Sequence, residues 1–411
     1  MELLVEEPPR EAPSPVPPGL DRYAKRAVWA SAVGYAMDGF DLLILGFALP
    51  SIVATFGLTG GQAGALATLT LIGALAGGIV FGIVSDRHGR VRVLTWSIVL
   101  FALCTGASAL APSYAVLAAL RFVAGLGLGG EYGIGMTLVA EASPPSRRAR
   151  ATSYVALGWQ AGVVLAAAAA GVLLPVLGWR GLFALGALPA LAAFTLRLRL
   201  REPAPFRAER VHAGALRELW SGGALRTSIG VLVLTSVQNF GYFGLMIWLP
   251  TYLGGQLHLG FARTGIWTVV TIAGMSVGIF VFGILADRVG RRPVFWAFQA
   301  GAAIAVVVYS TLRAPLPLLA GGAVMGFFVN GMMGGYGALI AELYPTRARA
   351  TAQNLLFNLG RAVGGFGPVV FAVIGTRYSL SAAIALLAVL YVLDIVATAV
   401  CIPERRGAAL R

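Results

Sequence analysis

The chain has 411 residues, 58% of them hydrophobic and only 12% charged, and its mean hydropathy is +0.81. Soluble domains are about 25% charged, so a multidomain soluble protein is excluded, as is a disordered chain; Cys104 and Cys401, far apart in apolar runs, exclude a disulfide scaffold. The formal net charge of +14 would suggest nucleic acid on a soluble chain, but beside so much apolar sequence it has to be read against a bilayer.

A membrane core of about 30 Å needs roughly 20 apolar residues of helix. Twelve runs qualify, predicting helical spans over 28–54, 63–84, 93–111, 114–140, 152–175, 180–200, 227–252, 264–286, 294–312, 316–341, 350–375 and 380–402. Pro50, Pro175, Pro250 and Pro368 fall near span ends or expected bends in this reading. Residues 1–26, rich in proline and too polar for a signal peptide, read as a disordered tail. Residues 201–226 form the longest loop and separate a bundle over 27–200 from one over 227–402, with 403–411 as a second tail. If the N-terminus is inside, 25 of the 31 basic residues lie on the inner side. The positive-inside rule then puts both termini in the cytoplasm of a multi-pass plasma-membrane protein, a bacterial inner membrane being the expectation.

Lys25 is the sole lysine and no GxxxxGK(S/T) loop exists, so this chain cannot drive transport with ATP by itself. His88, His212 and His258 are scattered, with none at a span midpoint, and no nucleophile–base or metal constellation is visible. No enzyme activity, cofactor or metal is expected, and the partners are a small solute, protons and lipid. A monomer is expected.

Two motifs recur. Gly82, Asp86, Arg87, Gly89 and Arg90 follow the second span, and Gly283, Asp287, Arg288, Gly290 and Arg291 follow the eighth at the same spacing, 201 residues on. Glu141, Pro144, Arg147 and Arg150 are answered by Glu342, Pro345, Arg347 and Arg349. Two motifs repeated in order predict parallel six-span repeats. The GxxxDRxGR pattern resembles the signature of the major facilitator superfamily, over residues 22–402. The resemblance implies an all-α membrane protein of twelve transmembrane helices in two pseudo-symmetric six-helix bundles. It also implies a cytoplasmic gate in which Asp86 and Asp287 pair with loop arginines. Across short turns, Glu141 is within reach of Arg147 or Arg150, and Glu342 of Arg347 or Arg349.

Ionisable residues inside spans are costly and functional by default. Asp38 and Asp41 share a face of the first span, and Arg121 and Glu131 lie on the fourth, Arg361 on the eleventh and Asp394 on the twelfth. Two neighbouring carboxylates suit a proton carrier, so Asp38, Asp41 and Glu131 are the candidate coupling residues; a helix cap or interhelical hydrogen bond is the simpler reading of the aspartates. Asn354, Asn358 and Arg361 align as one polar stripe. Arg361, whose planar fork suits a carboxylate, is the first candidate for an anionic substrate, with a structural salt bridge as the alternative. Arg121, Asn354, Asn358, Gln238, Tyr242 and Tyr336 are further candidate binding residues, and Asp394 reads as structural.

The stretch Asp38-Gly39-Phe40-Asp41 resembles the Asp-Gly-x-Asp signature of aromatic acid:proton symporters, whose further arginine, glutamate and arginine match Arg121, Glu141 and Arg361. Symporters for lactate, sialate and nicotinate look similar across residues 129–133 and 248–252. The resemblance implies proton-coupled uptake of a small organic carboxylate by alternating access. A sugar or polyol symporter of the same fold is the alternative, and a drug-efflux antiporter or non-transporting sensor is a weaker one.

Overall fold

A computed structural model describes residues 20–187, 215–257, 261–407 and 410. The expected tail up to residue 19, residues 188–214 with most of the sixth span and His212, and residues 258–260 with His258 lie outside the described residues. All regular structure among the described residues is helical.

Helix α1, Arg22–Phe56, starts where Asp21 accepts the Ala24 N–H at 2.6 Å, five residues before the expected bundle boundary at 27, and stops at Gly57 in the left-handed region (φ 62°). Helix α2, Gly60–His88, opens on a reciprocal capping box between Thr59 and Gln62. Helices α3 (Arg90–Ser108) and α4 (Tyr114–Ala142, capped by Ser113) follow. Helix α5, Arg148–Gly186, joins the fifth span to the start of the sixth across a break at Gly178, three residues after Pro175. Helix α6 (Ala215–Leu219) is one short piece of the central loop. The second half then runs α7 (Gly222–Leu257), α8 (Phe261–Arg288), α9 (Arg291–Thr311), α10 (Pro315–Gly331), α11 (Met333–Leu343), α12 (Thr346–Gly364), α13 (Gly367–Arg377) and α14 (Leu380–Cys401). The tenth span comprises α10 and α11; the eleventh is interrupted at Gly365–Phe366, with Pro368 in the first turn of α13. Eleven described helical runs are long and apolar enough to cross a bilayer, the sixth expected span being the one not fully described.

Close packing of small residues sets the helix spacing. A Cβ added at Gly73, Gly77, Gly125 or Gly129 would overlap backbone carbonyls of the facing helix, so α2 and α4 touch main chain to main chain. Gly274, Gly278 and Gly326 repeat this contact between α8 and α10. The fourth counterpart, 201 residues after Gly129, is Asn330. Between the halves, α12 packs on α2 and α4, while α5 packs on α8 and α11.

Candidate functional site

At the arginine-rich end, backbone N–H groups near the starts of α5 and α12 point at carboxylates of the opposite half. Asp86 accepts from the N–H of Ala350 (3.3 Å) and of Thr351 (2.9 Å) and from the Thr351 hydroxyl (2.6 Å). Asp287 accepts from the N–H of Ala149 and of Arg150, both at 3.0 Å. Each aspartate thus bonds the N-terminal part of a helix of the opposite half, where a negative charge also favours the dipole. Each also pairs with the arginine four residues on, Arg90 at 2.7 Å and Arg291 at 3.1 Å.

Two glutamates complete the arrangement. Glu141 receives Arg90 at 3.2 Å and Arg349 at 2.7 Å; Glu342 receives Arg291 at 2.7 Å and Arg148 at 2.8 Å. The Arg349–Glu141 and Arg148–Glu342 pairs cross between halves. Asp86 and Asp287, Arg90 and Arg291, Glu141 and Glu342, and Arg148 and Arg349 are each 201 residues apart, so the network has internal twofold symmetry. All eight side chains are buried.

This corrects the pairing expected from sequence. Glu141 meets neither Arg147 nor Arg150, and Glu342 meets neither Arg347 nor, directly, Arg349. The reason lies in the tight turn after α4 and α11: the guanidinium Nε of Arg148 donates to the Ala140 carbonyl and that of Arg349 to Ala341, which aims both across the seam. Arg147 sits half-buried in a 3-10 turn, and Arg150 contributes its backbone N–H. Arg87 and Arg288 are exposed at helix ends, and Arg347 bonds Glu218 of α6 at 2.7 Å. Gly82 lets α2 approach α12 at Thr351, and Gly89 turns the chain between α2 and α3 at φ 110°. Arg148 was legible in principle, because the constant offset of 201 aligns it, not Arg147, with Arg349.

Further along the spans, the two aspartates of α1 part company. Asp41 is held by Arg121 at 3.0 Å and by the Thr105 hydroxyl at 2.9 Å; Arg121 also donates to Thr105 and lies over the Phe183 ring. This pair is buried inside the first half, so Arg121 does not reach the space between the halves. Asp38 instead accepts from Arg361 of α12 at 3.3 Å, across the seam.

Arg361 is part of the wall of a cavity between the halves. Tyr35, Trp159, Tyr242, Phe243 and Phe357 supply aromatic surface, and Gln238, Asn239 and Asn330 supply amides. The guanidinium lies 4.9 Å from the Trp159 ring centroid, and the Trp159 N–H donates to the Tyr242 hydroxyl at 2.9 Å. Nη1 of Arg361 is buried and meets no acceptor among the described residues, and Oδ1 of Asp38 meets no donor. A narrow, tightly packed pocket lies behind Asp38, between α1, α3 and α4, and Glu131 and Ser97 line it with Asp38.

Other candidates are placed elsewhere. Asn354 accepts the Gly133 N–H and Asn358 donates to the Gly129 carbonyl, both at 2.9 Å, so the lower part of the polar stripe fastens α12 to the backbone of α4. Tyr336 donates to the Leu234 carbonyl inside the second half, away from the cavity wall. Asp394 accepts from Gln299 in that half's interior. Sequence reasoning missed Phe357, which stacks on Tyr132 at 3.6 Å across the seam beside the cavity; an apolar aromatic in an apolar helix carries no signal of its own.

The sequence profile of the Major Facilitator Superfamily matches residues 31–275 and 231–411. The chain belongs to this superfamily. As a major facilitator it is a membrane transporter and not an enzyme. A Haemophilus influenzae protein assigned by inference to metabolite transport is 55% identical, over 95% of this chain and 99% of its own. A cis,cis-muconate transport protein of Acinetobacter baylyi is 31% identical, over 90% of this chain and 92% of its own. Among solved structures, a proton:xylose symporter superposes with a TM-score of 0.80 at 19% identity, covering 95% of this chain and 98% of that one. That likeness establishes the fold: this major facilitator has the same two-bundle architecture.

Proposed function

We propose that this transporter takes up a small organic carboxylate together with a proton. The observation that carries the reading is the state of Arg361. A buried guanidinium needs a carboxylate beside it, and it has one, Asp38, while Nη1 has no acceptor among the described residues and the residue lines the cavity. An incoming carboxylate and Asp38 therefore compete for one cation. When the substrate takes Arg361, a proton on Asp38 keeps the buried site neutral, and Glu131, on the narrow pocket with Asp38, offers the proton a second place to rest. Asp41 and Arg121 form a fixed pair in this scheme and hold α1 against α4.

Alternating access then follows from rocking of the bundles over 27–200 and 227–402. With the arginine-rich end in the cytoplasm, as the positive-inside distribution supports, the Asp–Arg–Glu network closes the cytoplasmic side in this form. The muconate transport relative, named for a dicarboxylate, supports the organic-acid class and not the number of acid groups. Proteoliposomes given labelled lactate, benzoate-type acids and hexoses, with and without an inward proton gradient, test the reading. Acid uptake that rises with the gradient and vanishes in Arg361→Ala is expected; hexose uptake indifferent to Arg361 would replace it with the sugar reading.

A further inference from the structure

Resting on that reading, a second recognition element lies in the same cavity. Gln238 of α7 donates through Nε2 to Oδ1 of Asn330 of α10 at 2.8 Å. Both residues line the cavity and both are 1% exposed. The bond leaves Gln238 Oε1, an acceptor, and Asn330 Nδ2, a donor, each without a partner among the described residues. Buried amide groups are rarely left so, because an unmet donor or acceptor forfeits its solvation. Turning both amides over as a pair preserves the arithmetic: one donor and one acceptor still remain side by side.

We infer that this amide pair binds the far end of the substrate, and that this end is a neutral group offering both a donor and an acceptor, such as a hydroxyl or a carboxamide. A second carboxylate fits poorly. It offers acceptors only, so it satisfies the Asn330 donor but is set against the Gln238 oxygen. The cation that could have neutralised it, Arg121, is committed to Asp41 inside the first half. The site therefore selects a monocarboxylate with a neutral polar end over the corresponding dicarboxylate. The aromatic lining from Tyr35, Trp159, Tyr242 and Phe357 suits a flat body between the two ends.

Competition against labelled benzoate in proteoliposomes, using benzoate, 4-hydroxybenzoate, 4-carboxamidobenzoate and terephthalate, tests the inference on the unaltered protein. A site built around a hydrogen-bonding group penalises the analogue lacking it, so the hydroxy or carboxamide acid should compete at least about tenfold better than benzoate. Terephthalate dianion should compete worse than benzoate. In Asn330→Leu, the ratio of 4-hydroxybenzoate to benzoate affinity should collapse to about one. Terephthalate matching the best competitor, or an advantage that survives in Asn330→Leu and in Gln238→Leu, would overturn the inference and leave carboxylate transport standing. Failure of every acid to compete would remove both.

Discussion

The twofold network at the arginine-rich end makes a sharp prediction for Glu141→Gln. The substitution keeps the shape of the side chain but removes the charge facing two buried guanidiniums, Arg90 at 3.2 Å and Arg349 at 2.7 Å. Deleting one member of a buried pair outright costs about 3–5 kcal/mol. Glutamine retains an acceptor and Arg90 retains Asp86, so about 2 kcal/mol should fall on the state in which this end is closed. That is roughly a thirtyfold shift toward opening. Glu342→Gln, its symmetry mate, should behave alike. The assay uses Ala156→Cys, which lines the cavity, as reporter with Cys104→Ser and Cys401→Ser, and a membrane-impermeant maleimide added to inverted vesicles. Labelling should rise steeply in either variant. If the variants unfold at lower temperature yet label at the unaltered rate, these residues stabilise the fold without gating it.

Two further outcomes follow from the midplane pairs. Because a proton on Asp38 and a carboxylate on Arg361 favour one another, apparent substrate affinity should fall about tenfold per pH unit once Asp38 is ionised; Asp38→Asn should flatten that dependence and uncouple binding from the proton gradient, measured by titration across pH. Arg121→Ala strands a buried carboxylate and should lose about 3–5 kcal/mol of stability by thermal unfolding in detergent, whereas Asp41→Asn combined with Arg121→Leu should recover both stability and uptake; a well-folded double variant without uptake would put this pair in the transport path.

The spans were legible because lipid imposes a length and a composition on anything that crosses it. The repeat was legible because it preserves letters at fixed spacing. What the letters could not supply was the rotation of each helix start: moving from Arg147 to Arg148 turns a side chain by about 100°, and that turn decides whether it points to its own half or across the seam. The polar stripe of Asn354, Asn358 and Arg361 was visible as a stripe, yet its lower part meets the α4 backbone and only its upper end meets the cavity. Asp38 and Asp41, on one face by spacing, end on different partners, Arg361 of α12 and Arg121 of α4, which spacing within α1 does not reveal.

The offset of 201 residues carries one more meaning. In the network at the helix ends each residue is matched by its own kind. In the middle the letters no longer match: 201 residues after Asp38 stands Asn239, after Gln160 Arg361, and after Gly129 Asn330. One flank of the passage, α1 and α12, is ionic, and the other, α5 and α7, is neutral. Two like jaws therefore close on a cargo that lies in a single heading, and the proposed substrate travels without turning over, its acid end kept to the same flank from entry to release.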